Sequence, residues 1–175
     1  MAGINLDSLS NGLAHKELVR CMPTLALKCN RGKLPFLAHN DLSASSNDTC
    51  NELFSRFTHS YKVDQEEDLN IATAFSGSGI GFVFDLLDNF FQAGLNLGYT
   101  DSEAKENVKE LFISAFELVE MEKDLSFADL ALRVQSKGGT TEAGIRVLKN
   151  RALSLAIDEA FKAALKKARE LEDQE

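Results

Sequence analysis

Two segments rich in glycine and hydroxyl side chains carry the chemistry this sequence offers, Ser76-Gly77-Ser78-Gly79 and Gly138-Gly139-Thr140-Thr141. Each stands before a long helical pattern, and small residues at a helix N-terminus expose backbone amides along the positive end of the helix dipole. Such a position takes an anion. Two of them in one small helical region point to a small anionic ligand, a carboxylate. The second segment is the stronger signal, because adjacent glycines free the backbone while Thr140 and Thr141 supply hydroxyl donors. Its plain alternative is a loop followed by a threonine N-cap. The first segment alone is a Gly-Ser turn before a helix. It is no dinucleotide fingerprint: glycines at 77, 79 and 81 leave Phe82 where GxGxxG needs its third glycine, and Asp68–Ala72 before it reads as helix, not strand. No GxxxxGK[ST] loop occurs elsewhere.

Other chemistry is poorly supplied. Cys21, Cys29 and Cys50 form no CxxC spacing, which argues against a zinc knuckle or a disulfide framework and for reduced thiols in the cytoplasm. His15, His39 and His59 have no HxxxH or HxxE partner, so no metal site is expected. The net charge is -8, and it is uneven, about +2 over residues 1–63 and about -10 over residues 64–175. An acidic chain without a basic stripe is not expected to bind nucleic acid. No basic n-region precedes an apolar run at the start, and Ile80–Leu97 is broken by Asp85, Asp88, Asn89, Gln92 and Asn96, so that stretch reads as a buried helix and not a membrane span.

The elements that would position these residues change character near residue 64. Residues 1–63 hold short apolar runs bounded by Gly, Pro and Asn, Met22–Leu27 and Pro35–Ala38 among them, which read as strands. Ser8–Gly12 reads as a polar turn, Ser46-Asn47-Asp48 as the cap of a helix carrying Leu53, Phe54 and Phe57, and His59–Val63 as a short strand. From Gln65 onward the pattern is helical. Phe82, Leu86, Phe90 and their neighbours recur at three- and four-residue steps, and Gly98 ends that helix. Thr100–Glu103 reads as a capping box for a helix striped by Val108, Leu111, Phe112, Ala115, Phe116 and Val119, and Ser126–Asp129 opens a shorter one in the same manner. A last helix carries Leu153, Ile157, Phe161, Ala164, Ala168 and Leu171. Five or six helices with phenylalanine-rich faces exceed what one small bundle buries, so part of that surface is expected to meet another subunit.

The wording Thr73-Ala74-Phe75-Ser76-Gly77-Ser78-Gly79 followed by Ser136-Lys137-Gly138-Gly139-Thr140-Thr141-Glu142-Ala143-Gly144 resembles the substrate-binding and dimerisation domain of pyrroline-5-carboxylate reductase. Gly94–Gly98 resembles that family's helix end "AGVKLGL", Arg20-Cys21-Met22-Pro23 its "RAMPN" strand, Leu53–Phe57 its "LFSAVG" and Ala2-Gly3-Ile4 its "AAGI" strand end. The chain departs from the family pattern at Lys137 for a proline, at Gly79–Phe82 for "GPAY", and at Thr24 for the asparagine after Met-Pro.

The resemblance implies a mainly α fold, a helical dimerisation domain like that of 6-phosphogluconate dehydrogenase-type reductases over residues 64–175. Before it, residues 1–63 would be a partial α/β Rossmann remnant, the second half of a nicotinamide-binding domain. It implies reduction of 1-pyrroline-5-carboxylate to L-proline by NADPH or NADH, in a homodimer or a larger oligomer. Thr73 would lie near the ring nitrogen. The amides of Gly139, Thr140 and Thr141 and the Thr141 hydroxyl would hold the carboxylate, within a loop shaped by Ser136 and Gly138. Ala2, Gly3, Met22 and Pro23 would form the nicotinamide side. The glycine-rich turn that cradles a dinucleotide's pyrophosphate is not in this sequence. Three readings therefore stand side by side: a shortened pyrroline-5-carboxylate reductase, a non-catalytic dimerisation module, and a small-carboxylate binding protein derived from that family.

Overall fold

The computed structural model describes residues 3–15, 17–56 and 59–172. The protein is mainly helical with one small sheet. Its elements run α1 (Leu6–Leu13), β1 (Val19–Cys21), a 3-10 turn (Leu25–Cys29), β2 (Lys33–Ala38), α2 (Ala44–Ser55), β3 (His59–Lys62), α3 (Glu66–Ala72), a π turn (Thr73–Ser78), α4 (Gly79–Asn96), α5 (Asp101–Met121), α6 (Phe127–Arg133), α7 (Thr140–Asn150) and α8 (Leu153–Glu172). The chain folds into two compact units, one of the described residues up to Val83 together with those from Asp158 on, the other Phe84–Ile157.

In the first unit the sheet order is β1-β2-β3, with β1 antiparallel and β3 parallel to β2. Alternation gives the sheet two faces. Cys21 is paired with Phe36, whose ring lies 4.8 Å from that of Phe54, so this face carries α2. Arg20 is paired with Leu37 on the opposite face, where Leu37 joins Leu6 of α1, Leu69 of α3 and Val63 in the core, with Leu18 and Met22 against them. Arg20 is buried among these groups, and a buried guanidinium persists only when its charge is paired. It bonds the carboxylates of Glu66 and of Glu172, the latter at 3.2 Å, while Asn70 donates to the second Glu172 oxygen at 2.6 Å. Strand, α3 and the end of α8 are thereby tied together. Arg169, one turn earlier on α8, adds a second tie to Glu67.

Four local readings are corrected here. Ser8–Gly12 is no turn but lies within α1: Asn5 Oδ1 accepts the Ser8 amide at 2.8 Å and Glu66 the Leu6 amide at 2.6 Å, so the first-turn amides are satisfied and the helix starts. The Met22–Leu27 run is no strand. Pro23 has no amide to give a ladder, β1 stops at Cys21, and Leu25–Cys29 coils into the 3-10 turn. The cap of α2 is Ser43, whose Oγ accepts from Ser46 N, three residues before the expected position. Finally, Ser76–Gly79 opens no helix. Thr73 and Gly79 both have right-handed helical dihedrals, and α3, the π turn and α4 run on without a break. The capping boxes at Thr100–Glu103 and Ser126–Asp129 form as expected.

The second unit has little interior of its own. The rings of Phe90 and Phe112 meet edge to face at 5.2 Å, and Ala104 is buried. Against this, Leu97 (83%), Met121 (79%), Phe127 (77%) and Phe116 (65%) are exposed in the single chain. By length and composition alone the helical run Glu66–Asn96 would suffice to cross a membrane. Of its rings, Phe75 and Phe82 meet Phe161 and Phe90 meets Phe112, while Phe75, Phe84 and Phe90 stay exposed in the single chain.

Candidate functional site

The candidate site residues fall into both units. In the first, Thr73 is half-buried at the junction of α3 with the π turn, and its hydroxyl donates to Leu69 O at 2.6 Å. The single hydroxyl proton is thus committed, and the oxygen can serve a ligand only as an acceptor. Around it the ladder slips from α to π register, and Ser78 Oγ reaches Thr73 O at 3.5 Å. Such π turns inside helices are rare and recur where a side chain must be re-aimed. The amides of Ser76–Gly79 lie inside this continuous helical run. The anion site expected at that glycine-rich segment is therefore absent, because no helix begins there to expose free amides.

In the second unit the segment Ser136–Thr141 does form a helix start. Gly138 has φ +76°, a left-handed conformation that any other side chain would strain although the space beside it is open, and at Gly139 a Cβ would stand 2.3 Å from Ser136 Oγ and 3.0 Å from Ser136 O, so that loop would have to shift. The Gly139 amide donates to Ser136 O at 2.9 Å and the Gly138 amide to Glu142 Oε2 at 2.5 Å. Gly139 was expected among the carboxylate donors; its amide is engaged inside the loop instead. Gly139, not a threonine, is the N-cap of α7, and it offers no side-chain cap bond. The first helical bond is Ala143 N to Gly139 O at 3.1 Å, which leaves the amides of Thr140 and Thr141 ahead of the ladder. Thr141 is half-buried and Thr140, Lys137 and Ser136 are exposed.

Of the residues expected on a nicotinamide side, Ala2 lies outside the described residues. Gly3 is buried with φ +91° against α8, where a Cβ would be 3.0 Å from Leu171 O. Met22 packs on the sheet core and donates its amide to Pro35 O at 3.1 Å, and Pro23 is exposed. The helices that follow strands offer no phosphate cradle: α2 is capped by Ser43, and the first turn of α3 carries Glu66, Glu67 and Asp68, whose charges repel an anion. These residues do not fit the pyrophosphate of a dinucleotide.

Two features escaped the sequence reading. Glu142 as the carboxylate on Gly138 had a signal, an acidic residue one turn after a glycine. The buried Arg20–Glu66–Glu172–Asn70 cluster joins residues over 150 positions apart and had none.

Residues 66–171 match the family described as pyrroline-5-carboxylate reductase dimerisation. The chain belongs to that family. Pyrroline-5-carboxylate reductase of Staphylococcus aureus strain MSSA476 is 30% identical to it over 176 aligned residues, and that of Staphylococcus epidermidis strain ATCC 12228 is 28% identical. The alignments take in the whole of this chain and 64% of each relative, so it spans slightly under two thirds of their length. A crystal structure of Plasmodium falciparum pyrroline carboxylate reductase with NADP bound superposes with a TM-score of 0.88 at 22% identity, covering 98% of this chain and 68% of that one. The pyrroline-5-carboxylate reductase of Coxiella burnetii gives 0.82 at 25% identity, covering 97% and 63%. The mainly helical architecture is thus that of pyrroline-5-carboxylate reductases.

Proposed function

We propose that this chain is the substrate-holding and dimer-forming part of a pyrroline-5-carboxylate reductase, acting on 1-pyrroline-5-carboxylate in the formation of L-proline. The observation that carries the reading is the start of α7, inside the matched region, where the Thr140 and Thr141 amides precede the helical ladder beside the Thr141 hydroxyl. Amides, hydroxyl and helix dipole all favour the ligand's carboxylate. Lys137 adds a long-range attraction that salt screens.

Thr73 has a separate role, argued from its own unit. With its proton given to Leu69 O, its oxygen accepts, which suits the N–H of a protonated cyclic imine. Holding the imine in its protonated form makes its carbon electrophilic, and no covalent nucleophile is required of the protein. Relatives of this family use NAD(P)H as the hydride source. The described residues form no cradle for its pyrophosphate and serve the substrate only.

The second unit is read as a homodimerisation surface. Phe116, Met121 and Phe127 stand exposed on the single chain, and a surface of this kind is covered when two copies pack as in an obligate dimer. Free cysteines accord with the cytoplasm as its compartment. Titration calorimetry with L-proline tests the substrate reading: saturable binding that is clearly weaker in the Thr141→Val protein supports it, and equal binding by both, or by neither, refutes it.

A further inference from the structure

Cys21 and Cys50 lie far apart in sequence, and two sets of contacts bring them to the same face of the sheet in the first unit. Cys21 pairs with Phe36 across β1 and β2, and directly paired residues stand on the same face of a sheet. The Phe36 ring lies 4.8 Å from that of Phe54, so that face is the one α2 covers. Cys50 precedes Phe54 by four residues, one turn along the same side of α2. From the other end, Cys50 lines a cavity of about 340 Å³ together with Val19, and Val19 and Cys21 share one face of β1 by strand alternation. Cys50 and Cys21 thereby lie on the same side of the sheet, the one that α2 covers. Cys29 sits apart on the exposed 3-10 turn, its thiol on Ala26 O at 3.0 Å.

We propose that Cys21 and Cys50 form a reversible dithiol–disulfide pair that locks β1 to α2 when a small disulfide oxidant such as oxidised glutathione is present. The two thiols divide the work. Cys50 is half-exposed at the cavity and is reached first: its thiolate attacks one sulfur of the oxidant, the oxidant's S–S bond breaks, and one glutathione leaves and takes up a proton. Cys21 then loses its proton, its sulfur attacks the Cys50 sulfur of the mixed disulfide, and the second glutathione departs as a thiol. Two protein thiols are oxidised and one disulfide is reduced to two thiols, with no further reactant. Burial pushes the Cys21 thiol up, and the neighbouring Cys50 adds to this, which makes Cys21 the slower of the two to attack the oxidant and the second to react. The lock is of the transient kind that a reducing compartment permits.

The test uses the full chain carrying Cys29→Ser, folded and treated with excess oxidised glutathione, then read by non-reducing mass spectrometry and peptide mapping. The expected product has lost two hydrogens, about 2 Da, holds no free thiol, yields a Cys21–Cys50 cross-linked peptide and reverts with dithiothreitol. In a chain that also carries Cys50→Ser the cross-link is absent. A Cys29→Ser protein that accumulates only glutathione adducts, or whose Cys21 and Cys50 remain free under conditions that modify Cys29 in the parent chain, overturns the proposal.

Discussion

Gly138 donates its amide to the carboxylate of Glu142 at 2.5 Å, one turn into the helix whose first amides we assign to a ligand. A carboxylate of the protein's own therefore stands beside the place proposed for a foreign one. Like charges this close repel, by roughly 1 kcal/mol or more in a partly solvated setting. Glu142→Gln keeps an oxygen acceptor for Gly138 and removes the charge. It should tighten binding of proline or a cyclic carboxylate analogue by about three- to tenfold, a gain of about 1 kcal/mol. Calorimetry checks this, and weaker binding would mean that Glu142 holds the loop shape the ligand needs.

Thr141→Val tests the opposite sign at the same helix start. The swap keeps the volume and the helix and removes a half-buried hydroxyl from beside the proposed carboxylate. A lost hydrogen bond to a charged group should weaken proline binding by about 1.5–3 kcal/mol, roughly ten- to a hundredfold. Circular dichroism should be unchanged, which separates loss of the donor from loss of α7.

How much of this was written in the sequence depends on the range of the interactions. Both capping boxes and the stripes of α5 and α8 were legible because their partners lie three or four residues apart. Gly138–Thr141 was legible as a helix start for the same reason. Ser76–Gly79 was misread as one, since local chemistry favours a break there and the tertiary setting overrides it: the Phe161 ring of α8 packs on Gly79 and against Phe75 and Phe82, holding the run helical. Similarly, the Leu6 amide finds Glu66 sixty residues on, and that bond converts an apparent polar turn into α1. Long-range partners of this sort leave no periodic trace.

The exposed stripe of α5 gives a prediction about assembly. Phe116 is 65% exposed in the single chain, so Phe116→Asp costs the subunit little, but in a homodimer it buries an unpaired charge twice, by symmetry. At about 2 kcal/mol per copy the dissociation constant should rise roughly a thousandfold. Sedimentation at micromolar concentration should find the parent dimeric and this variant a folded monomer. Phe90→Asp, which removes the ring set edge to face on Phe112 from a half-exposed position, should instead lower the thermal midpoint of the subunit itself. A parent that sediments as a stable monomer sinks the dimer reading.

The nicotinamide cofactor gives a negative prediction. Met22 is packed on the core, Gly3 is closed over by Leu171, and no described strand-to-helix junction offers a glycine-rich turn. NADPH titrated into the 175-residue chain and followed by nicotinamide fluorescence should show no saturation up to roughly millimolar concentration. A micromolar dissociation constant would show that these residues grip the cofactor by a route other than a pyrophosphate turn.

Acid stability follows from the tie between Glu67 and Arg169 and from the two capping boxes. Hydrogen bonds from Arg169 hold the Glu67 carboxyl below its ordinary range, and bonds from Thr100 and Ser126 do the same for Glu103 and Asp129. Each group binds its proton at higher pH in the unfolded chain than in the folded one. Their contributions are complete above the ordinary carboxylate range and are lost as pH falls through the lowered folded values. The thermal midpoint should therefore be level from about pH 7 to pH 5 and drop below about pH 4. Arg169→Met removes the cause acting on Glu67 alone and leaves both boxes, so the drop should persist but be shallower. High salt should act on the parent in the same direction, because the Glu67–Arg169 pair is solvent-exposed and is screened. A midpoint that stays level to pH 3, or an Arg169→Met profile identical to the parent's, would show that the Glu67–Arg169 pair adds nothing to the hold of α8 on α3.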